Sequence, residues 1–218
     1  MHKITEISME IDVLAENRRI ADENHELLKK NGIKSIDVMG SIGSGKTALI
    51  ERIASEMIKK GKRPAAIAGD VAGQDDYNRF RSLGIPAINI NTGKECHLDA
   101  HLISHALEKL DLESIDFLFI ENVGNLVCPA DFPLGTDKRL VVISVTEGDD
   151  MVRKHPSIFS VADVAALNKI DLIPYLDVDP KKITSDYQKI MKNKTLHLIS
   201  VKTGVGIPAL LKDLEIDL

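Results

Sequence analysis

The chain of 218 residues has no tryptophan, two cysteines and only 4% aromatic residues. Two cysteines in a chain of this length exclude a secreted disulfide scaffold and fit reduced thiols, so a cytoplasmic location is expected. Long hydrophobic runs are also lacking, and Met1-His2-Lys3 leads into an amphipathic stretch rather than a signal-peptide core. Membrane insertion is therefore not expected. Nor is there an excess of positive charge: 28 Lys and Arg against 33 Asp and Glu leave a net charge of −5. That balance gives no electrostatic reason to expect nucleic acid as a partner. Internal repeats and low-complexity segments are missing as well. What is present is 44% hydrophobic and 28% charged residues, enough for one globular domain over residues 1–218 with a real core.

The most informative segment is Gly40-Ser41-Ile42-Gly43-Ser44-Gly45-Lys46-Thr47, followed by Ala48. A glycine-rich turn of this spacing aims backbone N–H groups at the phosphates of a nucleotide. Its lysine reaches the β- and γ-phosphates, and its threonine hydroxyl ligates Mg²⁺. The loop follows the strand-like run Ile36-Asp37-Val38-Met39 and opens a helical pattern through Ala54 and Met57. This strand–loop–helix order puts the helix N-terminus against the anion, as the mechanism requires.

An N-terminal helix is expected at about 5–31, with Ile11, Leu14, Ile20, Leu27 and Leu28 as its sparse apolar face and Asn31-Gly32 as its end. Beyond it strands and helices alternate. Strands are expected at Ile33–Met39, Pro64–Gly69, Ala87–Asn91, Phe117–Ile120, Leu140–Val145, Val164–Leu167 and Leu196–Ser200, with helices near 46–60, 75–83, 97–110, 179–192 and 207–214. Most strands are near-continuous apolar runs, the mark of a parallel sheet covered on both faces. The expected fold is α/β: a three-layer P-loop NTPase with a mostly parallel central sheet of about seven strands flanked by helices. Functional loops then lie at the carboxyl ends of the strands.

The base is expected to be guanine. Asn168-Lys169-Ile170-Asp171 follows an apolar strand, and Asp171 can accept hydrogen bonds from guanine N1–H and N2–H₂. Adenine has no N1 proton and would leave a buried carboxylate unpaired. Asn168 can tie this loop to the phosphate loop, the Lys169 stem can lie along the base, and Ser200-Val201-Lys202 can place an N–H at guanine O6. GTP is the stronger reading and ATP the minor one. Mg²⁺ needs carboxylates at strand ends, which Asp70 and Glu121 supply; Asp75 and Asp76 lie in the loop beyond Asp70. Glu121 precedes Asn122-Val123-Gly124, a pattern suited to a switch that senses the γ-phosphate. Catalysis would be mostly electrostatic, with Lys46 and Mg²⁺ neutralising phosphate charge while a switch carboxylate positions water.

Cys96 and His97 are expected to begin the helix after the third strand, and Cys128 follows Glu121 by seven residues. Thiolates and imidazole suit Zn²⁺ and Ni²⁺, and three such groups make either an open exchangeable site or half of a shared one. The bland alternative makes both cysteines small buried hydrophobes and His97 a helix cap. His101 and His105 continue an i, i+4 spacing from His97 but are expected on the polar side of the helix.

These segments together resemble the nickel-incorporation GTPases of hydrogenase and urease maturation, the HypB/UreG family, over essentially the whole chain. The resemblance is carried by Gly40–Thr47, Gly69-Asp70, Gly93-Lys94-Glu95-Cys96-His97-Leu98-Asp99-Ala100, Glu121-Asn122-Val123-Gly124-Asn125-Leu126-Val127-Cys128-Pro129, Glu147-Gly148-Asp149-Asp150 and Asn168–Asp171. It implies a slow GTPase that forms a homodimer with GTP and delivers nickel, with a maturation partner, to the [NiFe]-hydrogenase large-subunit precursor. It further implies that Cys96, His97 and Cys128 bind Ni²⁺ or Zn²⁺ at the dimer interface. By the same resemblance Asp76 is a switch carboxylate near Mg²⁺, and Lys154 approaches the guanine of the other subunit. Many members carry an N-terminal cysteine motif or histidine-rich tract. This chain begins Met1-His2-Lys3-Ile4, so the expected metal chemistry rests on the switch-linked site. Two other classes compete. A GTP-dependent small-molecule kinase would use Arg79 or Arg81 in a lid, and a nucleotide-sensing adaptor would not turn over; in both, the cysteines are incidental.

Overall fold

Seven strands form one parallel sheet in a computed structural model that describes residues 2–218, with side chains described from residue 11 onward. The strands are β1 (Lys34–Met39), β2 (Pro64–Asp70), β3 (Ala87–Asn91), β4 (Phe117–Glu121), β5 (Lys138–Ser144), β6 (Val164–Asn168) and β7 (Leu196–Leu198). Their order across the sheet is β3-β2-β4-β1-β5-β6-β7. Every connection is a crossover, so all strand ends that carry loops with polar motifs lie on one edge.

Both faces of the sheet are covered. On one face α2 (Lys46–Lys59), α3 (Asp75–Ser82) and α8 (Ile207–Asp213) pack on Ile36, Val38, Phe119, Val142 and Ala166. The opposite face carries two separate apolar clusters. One lies under α1 (His2–Lys30) and α4 (Ala100–Leu107), around Leu28, Ile103, Leu118 and Ile120. The other lies under α6 (Pro156–Val161) and α7 (Pro180–Ile190), around Met39, Ile143, Phe159 and Tyr187. The short α5 (Met151–Lys154) completes that side. Strand alternation puts Ser35, Asp37 and Met39 on this second face.

Three sequence expectations need correction. The face that α1 buries only partly follows the expected apolar stripe: Leu28 is buried and Leu14 and Ile20 are half-buried, but the rest of that face is polar or exposed. Ile11 is 60% exposed and Leu27 39%, whereas Asn17, Ala21, Asn24 and Leu28 are buried. The reason is hydrogen bonding: Asn17 accepts from Ala100 N (2.8 Å) and donates to Pro133 O (2.9 Å). Asn24 donates to Ala100 O (2.8 Å) and Leu134 O (3.2 Å). Buried amides that satisfy loop backbone in this way lose little by leaving water.

The helix expected at 97–110 is shorter, Ala100–Leu107, and Asp99 caps it by accepting from Leu102 N at 2.7 Å. Cys96 and His97 therefore lie in the turn before the helix, and His97 is not its cap. Finally, α5 and α6 were not expected; each spans six residues or fewer, too short for a periodic signal.

Candidate nucleotide and metal site

The phosphate loop leaves β1 and closes onto α2. Gly40 and Gly45 are required there sterically. A Cβ on Gly40 would lie 2.1 Å from Val142 O, and one on Gly45 would lie 2.4 Å from Asn168 Nδ2, at φ values of +149° and +100°. Lys46, only 6% exposed, donates to Ser41 O at 3.1 Å and stands 3.9 Å from Glu121 Oε1. The buried Ser41 and Ser44 hydroxyls have no protein partner. A cradle with buried, unused donors suits phosphate oxygens.

Thr47, the first residue after that lysine, sits between two carboxylates. Its Oγ1 lies 2.8 Å from Asp76 Oδ1 and 2.9 Å from Glu121 Oε1. One hydroxyl proton cannot serve both acceptors. Glu121 Oε2 is buried with no partner at all. Burial pushes the Glu121 carboxyl up to about 7, with Asp76 adding repulsion and Lys46 opposing both. Burial likewise lowers the Lys46 ammonium, opposed chiefly by Glu121. Converging oxygens short of positive charge fit a small hard cation such as Mg²⁺. Asp70 Oδ1 accepts from Val71 N at 2.6 Å, inside its own loop, and its charge also acts on Lys46. Asp75 is exposed.

The raised Glu121 group has a defined consequence for stability. Its folded value, about 7, exceeds its ordinary 4.5. Its contribution is therefore fully present below about pH 4.5 and is lost as pH rises through about 7. That displacement corresponds to on the order of 3 kcal/mol. In urea unfolding without nucleotide, the margin of the parent over Glu121→Gln should shrink by roughly 2–3 kcal/mol between about pH 5 and about pH 8. A margin constant with pH would show that Glu121 titrates as an ordinary carboxylate.

At the other end of the site Asn168 knits three segments together. Its Nδ2 donates to Ser44 O (2.9 Å), and its Oδ1 accepts from Lys169 N (2.7 Å) and Val201 N (3.1 Å). Lys169, at φ +62°, extends its Nζ to Gly43 O (2.6 Å). Ser200 donates to Asp171 Oδ1 at 2.6 Å, so the two base-reading segments meet. Lys202 is exposed and Ala48 half-buried. Lys154 pairs with Asp150 at 2.6 Å on the surface. Of the arginines offered for a kinase lid, Arg79 pairs with Glu51 of α2, with Nε 2.9 Å from Oε1, and stands 3.8 Å from Asp76, while Arg81 is exposed.

Cys96, His97 and Cys128 converge although they leave different strands. Their ligand atoms all lie within 4.8 Å of one another. Tetrahedral bonds of about 2.0–2.3 Å would set ligand atoms roughly 3.4–3.8 Å apart, so small side-chain rotations suffice. The thiols are free, 2.8 Å apart, and the bond from Cys96 raises the Cys128 thiol, with burial adding to it. A metal would replace the shared proton. The His97 ring lies against Phe132, four residues past Cys128, with centroids 3.9 Å apart. His101 and His105 are exposed on α4, with their Nε2 atoms 3.2 Å apart.

Sequence reasoning assigned no individual role to Asn125 or Glu147. Asn125 pairs with Gly40 of the phosphate loop through its N–H (3.0 Å) and donates from Nδ2 to Cys96 O (3.3 Å). Gly124 packs so closely on Ile42 that a Cβ would come within 2.3 Å of its side chain. The segment after Glu121 thus touches the phosphate loop and the cysteine turn at once. Glu147 forms a capping box with Ser144, its Oε1 accepting from Ser144 N at 2.8 Å. The spacing Ser144-x-x-Glu147 was a readable signal for that box.

Fold and site together define a P-loop nucleotide-binding protein in which Asn125 links the phosphate loop to a Cys96–His97–Cys128 cluster that could hold a metal. Residues 34–197 match the CobW/HypB/UreG nucleotide-binding domain. A probable hydrogenase maturation factor HypB of Methanocaldococcus jannaschii is 50% identical over 99% of this chain and 97% of that protein. Among solved structures, HypB of Archaeoglobus fulgidus superposes with a TM-score of 0.84 at 47% identity, covering 92% of this chain and 98% of that one. HypB of Helicobacter pylori in complex with nickel gives 0.81 at 36% identity, covering 92% and 90%. The chain belongs to the CobW/HypB/UreG family, and these relatives within it are HypB hydrogenase maturation factors.

Proposed function

We propose that this chain is a GTP-hydrolysing metallochaperone. It takes nickel or zinc as cargo at Cys96, His97 and Cys128, and it helps to insert nickel into the [NiFe]-hydrogenase large-subunit precursor. The observation that carries the reading is the convergence of those three ligand atoms within 4.8 Å beside a segment that also contacts the phosphate loop. Lys46 and the Ser41 and Ser44 hydroxyls hold the phosphates, Asp171 and the Ser200–Lys202 segment read guanine, and Asn168 fixes their spacing. Thr47, Asp76 and Glu121 would hold Mg²⁺, which when bound supplies neutralising charge at the β- and γ-phosphates. Glu121 would orient the attacking water.

Three cargo ligands per subunit favour a site completed across a two-fold axis, and a homodimer assembled with GTP would supply it. Lys154, paired only with Asp150 four residues before it on the surface of one subunit, then has a partner nucleotide to approach. A cytoplasmic location suits free thiols, and among the described residues no helix is long and apolar enough to cross a membrane.

The direct test measures transfer. The full chain loaded with ⁶³Ni²⁺ and GTP is mixed with a hydrogenase large-subunit precursor, and nickel on the precursor is counted. Transfer should be several-fold greater with GTP than with GDP or a non-hydrolysable analogue. Equal transfer with all three nucleotides would reject a GTP-driven chaperone.

A further inference from the structure

Cys96 and His97 follow β3, while Cys128 follows β4, so the geometry of the cluster depends on how those two loops are held relative to each other. Asp37 lies on β1, the strand beside β4, and is fully buried (0% exposed). It projects onto the sheet face between the α1/α4 cluster and the α6/α7 cluster, where hydrocarbon lies on either side. A carboxylate in such a position persists only with partners. It has two. Asn122 Nδ2 donates to Asp37 Oδ1 at 3.1 Å, and Arg139 Nε donates to Asp37 Oδ2 at 3.4 Å.

Each partner then reaches one of the two loops. Asn122 Oδ1 accepts from Leu98 N at 3.1 Å, the residue directly after His97. The Arg139 guanidinium donates to Ala130 O at 3.4 Å and to Pro129 O, the two carbonyls directly after Cys128. The order is Leu98, Asn122, Asp37, Arg139, Pro129-Ala130: an unbroken polar link from one ligand loop to the other. Among the described residues none of its members is hydrogen-bonded to a thiol or to the His97 ring.

We propose that the buried Asp37–Asn122–Arg139 network sets the separation of the two metal-bearing loops, which makes Asp37 and Arg139 positioning residues for the Cys96–His97–Cys128 site. The planar fork of Arg139 is suited to this task. It spans an aspartate and two carbonyls with donors in fixed relation, which a lysine ammonium on a flexible stem does not. The competing account is a buried charge satisfied for the sake of folding alone. The proposal rests on the metal reading of the three ligands.

The test uses the full chain as Asp37→Asn, which keeps size and an acceptor for Asn122, and as Arg139→Lys, which keeps charge. Cys96→Ala is run in parallel. Folding is read by thermal unfolding, nucleotide binding by GDP affinity, and metal binding by Ni²⁺ titration against a chelator, following the thiolate-to-nickel charge-transfer band. Both network variants should fold and bind GDP within about twofold of the parent. Their Ni²⁺ affinity should fall about tenfold or more, and the charge-transfer band should shift.

Parental Ni²⁺ affinity and an unshifted band in both network variants, alongside a loss in Cys96→Ala, would overturn the spacer role while leaving the metal site intact. Parental affinity in Cys96→Ala would instead overturn the metal reading, and the spacer with it. Failure of both network variants to fold would also overturn the proposal, because the network would then hold the whole fold rather than two loops.

Discussion

In Asp171→Asn the preference for GTP over ATP falls by about a hundredfold or more. Asp171 Oδ1 already accepts from the Ser200 hydroxyl at 2.6 Å, which orients the carboxylate. The remaining lone pairs are left for guanine N1–H and N2–H₂. An amide in its place can turn an N–H toward guanine N1–H and N2–H₂, which are themselves donors, so one bond is lost and one repulsion is gained. Adenine, with no N1 proton, stands to lose nothing. The scaffold of the loop is untouched by the change, because Asn168 makes its three bonds to Ser44, Lys169 and Val201 without Asp171. Equilibrium binding of labelled GTP and ATP to parent and variant measures the ratio directly. Unaltered discrimination would mean that the base is read elsewhere, with the phosphate loop still in place.

The phosphate loop could be read from sequence because its chemistry dictates its local structure: phosphate recognition demands strand, glycine turn and helix in that order. The parallel sheet was legible for a similar reason, since apolar runs alternating with helices admit few other arrangements. The strand order β3-β2-β4-β1-β5-β6-β7 was not, because tertiary packing selects it. Hydropathy misled most on α1. A periodicity count treats asparagine as outward-facing, yet Asn17 and Asn24 are buried, for the loop carbonyls and amide they meet lie at least 76 residues away in sequence. Asp37 was invisible in the same way. Within β1 it reads as a polar interruption, and its arginine partner is 102 residues further on. Cys96, His97 and Cys128 could be nominated by residue type, but their meeting depends on β3 and β4 ending on the same edge with β2 between them.

Replacing Cys96 or Cys128 by alanine should lower Ni²⁺ affinity by roughly a hundredfold or more and abolish its dependence on nucleotide. The magnitude follows from structural zinc sites, where about 10–16 kcal/mol is shared among four ligands, near 3 kcal/mol each. The coupling follows from geometry. Asn125 bonds to Gly40 of the phosphate loop on one side and to Cys96 O on the other, and Gly124 packs on Ile42. A γ-phosphate that moves the phosphate loop or the segment after Glu121 therefore moves the cysteine turn. A ligand displacement of about 1 Å is large against metal–ligand tolerances of roughly 0.2 Å, so the GTP- and GDP-bound forms should differ in metal affinity. Linkage makes the effect reciprocal: metal must change GTP affinity by the same factor. If two subunits complete the coordination, metal must also favour the dimer. In the alanine variants GTP binding by the single subunit should persist, since neither cysteine contacts the phosphate cradle. Parallel Ni²⁺ titrations of the GTP-analogue and GDP forms, with sedimentation at each end point, read all of these quantities. Equal metal affinity in both nucleotide states of the parent, with association indifferent to metal, would uncouple the two cysteines from the nucleotide and leave a nucleotide switch with no cargo.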